Sequence, residues 1–285
     1  MSDARARILL FDSGMGGLSI ARSLWRHLPG VSIVYLADNA RFPYGDRSER
    51  EVVERCVGLV EQTLSEQPCD IVVVGCNTAS TVVLPELRAR IKQPVVGVVP
   101  AVKPAAAMST NRRIGVLATP ATVDRPYLQQ LIDDYAPDCE ILRVGSSELV
   151  RLAEDSLETG CVAADLVAPI LEPLARGGVD TVVLGCTHFP LIRESLMAAM
   201  PGEIAWVDSG AAIARRVEQL LRAPGMNRVQ EGSALEAFLV TGPEPSGLQA
   251  WMDRAGTDQA VAMPFQSRRV SLNMARNSSS GSAGL

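Results

Sequence analysis

Two cysteines stand at the ends of buried, strand-like runs, and polar residues follow each one directly. Cys76 lies in DIVVVGCNTAS (70–80), and Cys186 lies in DTVVLGCTHFP (180–190). Ligands of open parallel sheets bind beyond the carboxyl ends of the strands, where we expect both thiols. Backbone N–H groups at such a strand-to-helix junction favour a thiolate, so each cysteine is a candidate acid/base residue.

Two thiols presented symmetrically suit the transfer of a proton from one face of a stereocentre to the other. A thiolate removes the proton, and a thiol on the opposite face returns one. The two groups must therefore come from facing sides of a cleft. Proton transfer is most efficient when the pKa of the group is close to the working pH, and cysteine can be tuned into that range. The sequence therefore predicts Cys76 and Cys186 as a catalytic pair.

Other polar side chains follow the predicted strands and are expected to surround these thiols. Asp12 can accept a proton from a substrate ammonium group or orient Cys76, and His188 can do the same for Cys186. The remaining groups suit binding of a carboxylate, because hydroxyl and amide side chains at helix starts accompany free N–H groups. They are Ser13, Asn77, Thr78, Thr119, Thr122 and Thr187. The other cysteines lack such neighbours and are expected to be structural; they are Cys56, Cys69, Cys139 and Cys161.

The chain alternates between strand-like and helical segments. Continuous β-branched runs between helices predict mostly parallel sheets covered on both faces. Ser48 with Glu51 forms a capping box that predicts the start of a helix. The predicted strands are 7–11, 31–36, 70–74, 95–99, 114–117, 139–144, 180–184 and 204–207, and the predicted helices are 18–28, 48–65, 82–91, 124–135, 148–157, 161–175 and 211–222.

The two halves of the chain repeat each other. The two cysteine segments match at an offset of 110 residues, and RILLFDS (7–13) matches RIGVLAT (113–119) at an offset of 106. The repeat predicts an α/β fold of two pseudo-symmetric domains, each a mostly parallel sheet flanked by helices, with the active site in the cleft between them. The first domain is predicted to comprise residues 1–100 and 209–266, because the strand-like segments 238–240 and 260–265 need a sheet to join. The second domain is predicted to comprise residues 101–208, and residues 267–285 are predicted to be a disordered tail.

Composition excludes several classes of protein. Of 285 residues, 47% are hydrophobic, which is enough for a large core, and the formal net charge of −5 does not suit a nucleic-acid-binding protein. No apolar run is long enough for a membrane span, and the N-terminal segment lacks the apolar region of a signal peptide. Six scattered cysteines without a CxxC pair predict free thiols and a cytoplasmic protein.

We expect no cofactor and no metal. Lys92 and Lys103 are the only lysines, and no phosphate-binding loop accompanies either of them, which argues against pyridoxal phosphate. The GMGG segment at 14–17 lacks the spacing of a dinucleotide-binding motif. Cys186 and His188 are too close in sequence to form a standard zinc site by themselves.

Six motifs make the chain resemble the bacterial glutamate racemases of the aspartate/glutamate racemase superfamily. The resemblance covers residues 7–192 and is specific because GCNTAS and GCTHFPL occur together at the right separation. The motifs are FDSGMGGLSI (11–20), YLADNARFPYGDRS (35–48), VVGCNTAS (73–80), VVPAVKPA (98–105), IGVLATPATV (114–123) and LGCTHFPLI (184–192).

The resemblance implies cofactor-independent interconversion of L- and D-glutamate, which supplies D-glutamate for peptidoglycan. It implies Cys76 and Cys186 as the acid/base pair and Glu154 as an aid to the second cysteine, although Ser146 and Arg151 depart from the usual pattern around Glu154. Because family members are often dimers, it also implies a possible homodimer. Residues implied to contact or orient the substrate are Asp12, Ser13, Tyr44, Gly45, Asn77, Thr78, Thr119, Thr122, Thr187 and His188.

Three alternatives stay open from the sequence. A racemase of aspartate or of another small amino acid differs by as little as one methylene of pocket space, worth about 1–3 kcal/mol. A non-catalytic amino-acid-binding module does not need the thiols. A thiol oxidoreductase needs the two cysteines close enough to form a disulfide bond.

Overall fold

The computed structural model describes residues 5–226, 232, 234–259 and 267–271, which contain two parallel sheets. The strands are β1 (Arg7–Asp12), β2 (Ser32–Ala37), β3 (Ile71–Val74), β4 (Val95–Gly97), β5 (Arg113–Ala118), β6 (Glu140–Gly145), β7 (Thr181–Leu184), β8 (Ala205–Val207), β9 (Ala234–Val240) and β10 (Ser267–Arg269). The α-helices are α1 (Leu18–His27), α2 (Glu49–Glu66), α3 (Asn77–Arg90), α4 (Val102–Met108), α5 (Pro120–Val123), α6 (Pro126–Tyr135), α7 (Ser147–Asp155), α8 (Ala164–Arg176), α9 (Arg193–Ala199), α10 (Gly210–Leu221) and α11 (Leu248–Gln259).

The two sheets repeat one topology. The first has the order β10-β9-β2-β1-β3-β4, and the second has the order β6-β5-β7-β8. Every pair of neighbouring strands is parallel, and β1 lies between β2 and β3 as β5 lies between β6 and β7. The matching strands of the sequence repeat, β1 with β5 and β3 with β7, therefore hold equivalent places. The predicted fold class is confirmed.

Each sheet is covered on both faces by apolar side chains. Ile8 and Leu10 of β1 belong to one core cluster, while Leu9 and Phe11 between them belong to another. The second sheet repeats this alternation, which is the pattern of a strand with both faces buried. The covered faces leave the carboxyl ends of the strands as the place for a ligand.

Several helices differ from the predicted ones. Helix α3 begins at Asn77, five residues before the predicted start at 82, because the thiol of Cys76 caps it. The helix predicted over 124–135 is α6, which begins two residues later because Pro126 occupies its first turn, and the short helix α5 precedes it. The sequence analysis did not predict helices α4, α5, α9 and α11. Within the described residues, no helix combines the length and the apolar character needed to cross a membrane.

The C-terminal region departs from the prediction. Strand β10 pairs with β9, so the disorder predicted for 267–285 is wrong at its first residues. Strand β9 would otherwise be the edge of the sheet, and its free backbone groups bind a further strand, with Val270 N–H donating to Val240 O at 2.8 Å. The predicted strand at 260–265 and residues 272–285 lie outside the described residues. The domain boundaries stay a prediction.

Candidate active site

A small cavity lies where the carboxyl ends of the strands of the two sheets face each other, and both candidate cysteines line it. Its free volume is about 10 Å³. The lining residues are Ser13, Pro43, Tyr44, Gly45, Cys76, Asn77, Thr78, Thr119, Val150, Cys186, Thr187 and His188. The predicted residues Asp12, Thr122 and Glu154 lie behind this wall, hydrogen-bonded to Thr187, Thr119 and His188 respectively.

Cys76 is a buried thiol at the start of α3. Its sulfur accepts the N–H of Ala79 at 3.5 Å and lies 3.6 Å from the hydroxyl of Ser13. Burial, with the nearby carboxyl of Asp12, raises the pKa of the Cys76 thiol to about 12. Near neutral pH, Cys76 is therefore a protonated group suited to donate a proton.

Cys186 lies beside a buried histidine, His188, that is paired with the partly exposed carboxylate of Glu154. Its sulfur is 3.7 Å from Nδ1 of His188, and Nε2 of that ring is 2.7 Å from Oε2 of Glu154. Burial disfavours the charged ring, but hydrogen bonds to Cys186 and Glu154 outweigh it and raise the pKa of His188 well above its ordinary value. A charged imidazolium donates to both partners and stabilises a thiolate at Cys186.

Asp12 joins the two domains beneath the cavity. Its carboxyl accepts the N–H of Gly14 at 2.7 Å and the hydroxyl of Thr187, from the other domain, at 3.3 Å. Burial raises the pKa of Asp12 to about 7, although His188 and these hydrogen bonds act in the opposite direction. Asp12 therefore gains or loses its proton near neutral pH, where we expect the enzyme to be active.

Asn77 presents an acceptor to the cavity. Its side-chain N–H donates to Gly185 O across the cleft, while its Oδ1 is buried and has no hydrogen-bond partner in the described part of the chain. A buried acceptor of this kind costs about 1–3 kcal/mol unless it is satisfied. A substrate ammonium group would satisfy it.

Three threonine hydroxyls form a chain across the opposite wall. Thr78 Oγ1 lies 3.1 Å from Thr119 Oγ1, which lies 2.9 Å from Thr122 Oγ1. Thr119 also caps α5 by accepting the N–H of Thr122 at 3.3 Å. A hydroxyl group can rotate to donate a hydrogen bond to a bound carboxylate, which is the role predicted for these threonines from their positions in the sequence.

The loop that carries Tyr44 and Gly45 is held by residues that the sequence analysis did not select. The hydroxyl of Tyr44 donates to the buried carboxylate of Asp38 at 2.7 Å, and Arg55 donates two further hydrogen bonds to it, each 2.5 Å long. Thr241 adds a hydrogen bond of 2.6 Å to the same carboxylate. Asp38 directly follows β2, just as Asp12 ends β1. This position at a strand end is the sequence signal that could have marked Asp38 as part of the site.

The remaining cysteines are outside the cavity. Cys56 and Cys69 are buried in the core beneath α2, whereas Cys161 is exposed. All six thiols are free. In the ranges that the structure describes, no three His, Cys, Asp or Glu side chains are grouped so that they could hold a metal ion.

The fold and cavity define a two-domain α/β protein whose shared cleft presents two free thiols. The pattern of the Asp/Glu/Hydantoin racemase family matches residues 18–217, and the chain belongs to this family.

Known glutamate racemases are similar over most of their length. The chain is 50% identical to the glutamate racemase of Shewanella loihica over 230 residues, covering 81% of this chain and 86% of the relative. It is 45% identical to that of Pectobacterium carotovorum over 264 residues, covering 92% and 93%. The Escherichia coli glutamate racemase, solved with L-glutamate and the activator UDP-MurNAc-ala, superposes with a TM-score of 0.83 at 41% identity and covers 95% of this chain and 100% of its own.

Proposed function

We propose that the chain interconverts L- and D-glutamate, with Cys76 and Cys186 as acid/base residues on opposite faces of the α-carbon. The observation that carries the proposal is that both cysteines, from equivalent positions of the two repeats, line one cavity. Racemisation by two bases requires one acid/base group on each face of the stereocentre, and two thiols from opposite sides of a cleft can supply them. The D-glutamate formed would serve peptidoglycan synthesis.

Proton removal starts from Cys186. Its thiolate, paired with the His188 imidazolium, takes the proton from Cα, so that an S–H bond forms as the C–H bond breaks. The electron pair of that bond stays on Cα and its carboxylate. Glu154 accepts a hydrogen bond from the far side of the ring and fixes its orientation. The ring therefore places a hydrogen-bond donor beside the sulfur that acts as the base.

Proton return uses Cys76. Its raised pKa keeps it as a thiol, which donates its proton to the opposite face of the carbanion and leaves a Cys76 thiolate. One turnover therefore exchanges the protonation states of the two sulfurs. The ammonium group of a bound substrate brings positive charge into the cavity and favours this thiolate when the reaction runs in the other direction.

Polar groups of the wall bind the substrate. The free Oδ1 of Asn77 accepts the ammonium group, and Thr78, Thr119 and Ser13 donate hydroxyls to carboxylates. The lining contains neither lysine nor arginine, so hydroxyl and amide groups supply most of the donors for the two carboxylates. A substrate with two carboxylates and one ammonium group fits this set of partners.

The two domains must separate to admit glutamate. A free volume of about 10 Å³ holds about one water molecule. Closure around the substrate would exclude water from the carbanion and strengthen each electrostatic contact. The ion pair between Asp46 and Arg151 crosses the cleft and would break on opening.

Circular dichroism tests the proposal. Purified protein is incubated with L-glutamate, and with L-aspartate in parallel, without any added cofactor. We expect the glutamate signal to decay to zero, and we expect Cys76→Ala and Cys186→Ala each to abolish the decay, while Cys161→Ala matches the unsubstituted protein. Racemisation of aspartate alone would favour the alternative substrate, and full turnover by either active-site variant would refute the paired roles.

We also propose a cytoplasmic homodimer. The free thiols suit a reducing compartment. Light scattering coupled to gel filtration measures the assembly: twice the chain mass of 30.4 kDa is expected, and a single-chain mass would contradict the dimer.

A further inference from the structure

Helix α7 belongs to the second domain but is bound at both ends by the first. At its start, Ser147 and Arg151 donate hydrogen bonds to Asp46, at 3.1 and 2.5 Å. Beyond its end, Leu157 is buried in a core cluster of the first domain that includes Trp251 of α11. The placement of α7 therefore depends on the first domain.

Arg254 of α11 makes the polar contact at this second end. Its Nη1 donates to Glu158 O at 2.7 Å, and its Nη2 donates to Leu157 O. The chain before α11 also approaches closely, because a Cβ atom at Gly247 would lie 2.3 Å from the backbone nitrogen of Glu158.

Glu154 lies in the last turn of α7, next to this contact. Its Oε2 accepts the N–H of Met15 at 2.9 Å and lies 2.7 Å from Nε2 of His188. The contact with Met15 requires that the last turn of α7 be held against the first domain, and the same oxygen of Glu154 then meets His188 of its own domain. Of the titratable groups that face His188, Cys186 lies in the same loop and Asp12 on β1, so only Glu154 moves with α7.

We propose that Arg254 is a positioning residue for racemisation: by binding the carbonyl oxygens of Leu157 and Glu158, it fixes the last turn of α7 and holds Glu154 against His188. The His188–Cys186 pair then depends on a side chain that does not line the cavity. This inference rests on the proposed function, since the pair matters to turnover only if Cys186 is a base.

The first test measures activity of Arg254→Met against Arg222→Met. Arg222 is an exposed arginine whose hydrogen bond goes to Glu218 of its own helix, so it serves as the matched control. We expect kcat to fall roughly tenfold in Arg254→Met, as for loss of part of an acid/base contribution, and not in the control. Arg254→Lys, which retains a charged donor, should recover part of the loss.

A double-mutant cycle separates positioning from general destabilisation. If Arg254 acts through Glu154, the loss from Arg254→Met disappears in a Glu154→Gln background. Losses that multiply, or an Arg254→Met variant as active as the unsubstituted protein, would overturn the proposal. If the Met variant does not fold, Arg254→Lys and Arg254→Gln enter the same cycle.

Nitrogen NMR of ¹⁵N-histidine-labelled protein gives a readout that does not need turnover. A His27→Gln background leaves His188 as the one labelled ring. We expect Arg254→Met to make this ring titrate at lower pH than Arg222→Met does, and an unchanged titration would contradict the inference. If the unsubstituted protein does not racemise glutamate, the proposed function fails, while this titration still tests the link between Arg254 and His188.

Discussion

Nε2 of His188 lies 2.7 Å from Oε2 of Glu154, and the opposite nitrogen of the ring lies 3.7 Å from the sulfur of Cys186. The three side chains form a line from the last turn of α7 to the cavity, in which His188 and Cys186 are buried and Glu154 is partly exposed. Charge on the ring links the carboxylate to the thiolate, so the reactivity of Cys186 depends on a residue that does not line the cavity.

Glu154→Gln should shift the pH dependence of racemisation. Without the carboxylate, the pKa of His188 falls, and the imidazolium–thiolate pair is lost at lower pH. We expect the high-pH limb of the kcat/KM profile to move to lower pH. At pH values above the shifted limb, activity should be roughly tenfold lower than that of the unsubstituted protein. The control is Glu148→Gln, an exposed position of the same helix. Identical pH profiles for both variants would contradict the role of Glu154.

Alkylation should distinguish the two active-site thiols. Cys186 has an imidazolium beside it, whereas the pKa of Cys76 is raised to about 12, so iodoacetamide should modify Cys186 first. Glutamate should protect both, while exposed Cys161 reacts with or without substrate. Peptide mass spectrometry over time measures the order, and earlier modification of Cys76 would show that the assigned charges are wrong.

Asp12→Asn should change how stability depends on pH. The folded-state pKa of Asp12 is raised from 3.8 to about 7, so its favourable contribution is complete below the lower value and is lost as the pH rises through the higher one. The difference in free energy of unfolding between Asp12→Asn and the unsubstituted protein should shift in favour of the variant by about 2–3 kcal/mol when the pH rises from about 5 to about 8. Urea unfolding at both pH values measures this gain, and a difference independent of pH would contradict the shift.

Arg55→Ala should destabilise the fold strongly. The variant leaves the fully buried carboxylate of Asp38 without its charged partner, at an expected cost of about 3–5 kcal/mol in the free energy of unfolding. Arg50→Ala is the matched control on α2, because its ion pair with Glu54 is exposed, and it should leave stability nearly unchanged. Equal effects of the two substitutions in urea unfolding would contradict the importance of the Asp38 network.

The sequence was informative where one local pattern decides the outcome. Buried β-branched runs ending in Gly-Cys placed both thiols at strand ends, and matched offsets predicted two sheets of the same topology. Ser48 caps α2 as its spacing from Glu51 indicated. For the strand ends and the helix cap, neighbouring residues alone carry the information, and the repeat is visible because its segments match one another in sequence.

Other features depend on contacts between distant parts of the chain. Thr241 reaches Asp38 across 203 positions, and Arg254 reaches Leu157 across 97. Cysteine is not a usual helix cap, so the early start of α3 at Asn77 could not be inferred from residue preference. The separation of cavity-lining residues from supporting ones, such as Thr119 from Thr122, also needed the three-dimensional arrangement.

Deuterium incorporation during the first turnovers tests the two-thiol mechanism most directly. L-Glutamate is incubated with the unsubstituted protein in D₂O, and both enantiomers are isolated at low conversion for mass spectrometry. Because one sulfur removes the proton and the other returns a solvent-derived one, D-glutamate should carry deuterium at Cα while the remaining L-glutamate carries almost none. Protium retained in the product, or equal labelling of both enantiomers from the start, would contradict proton transfer by two opposed thiols.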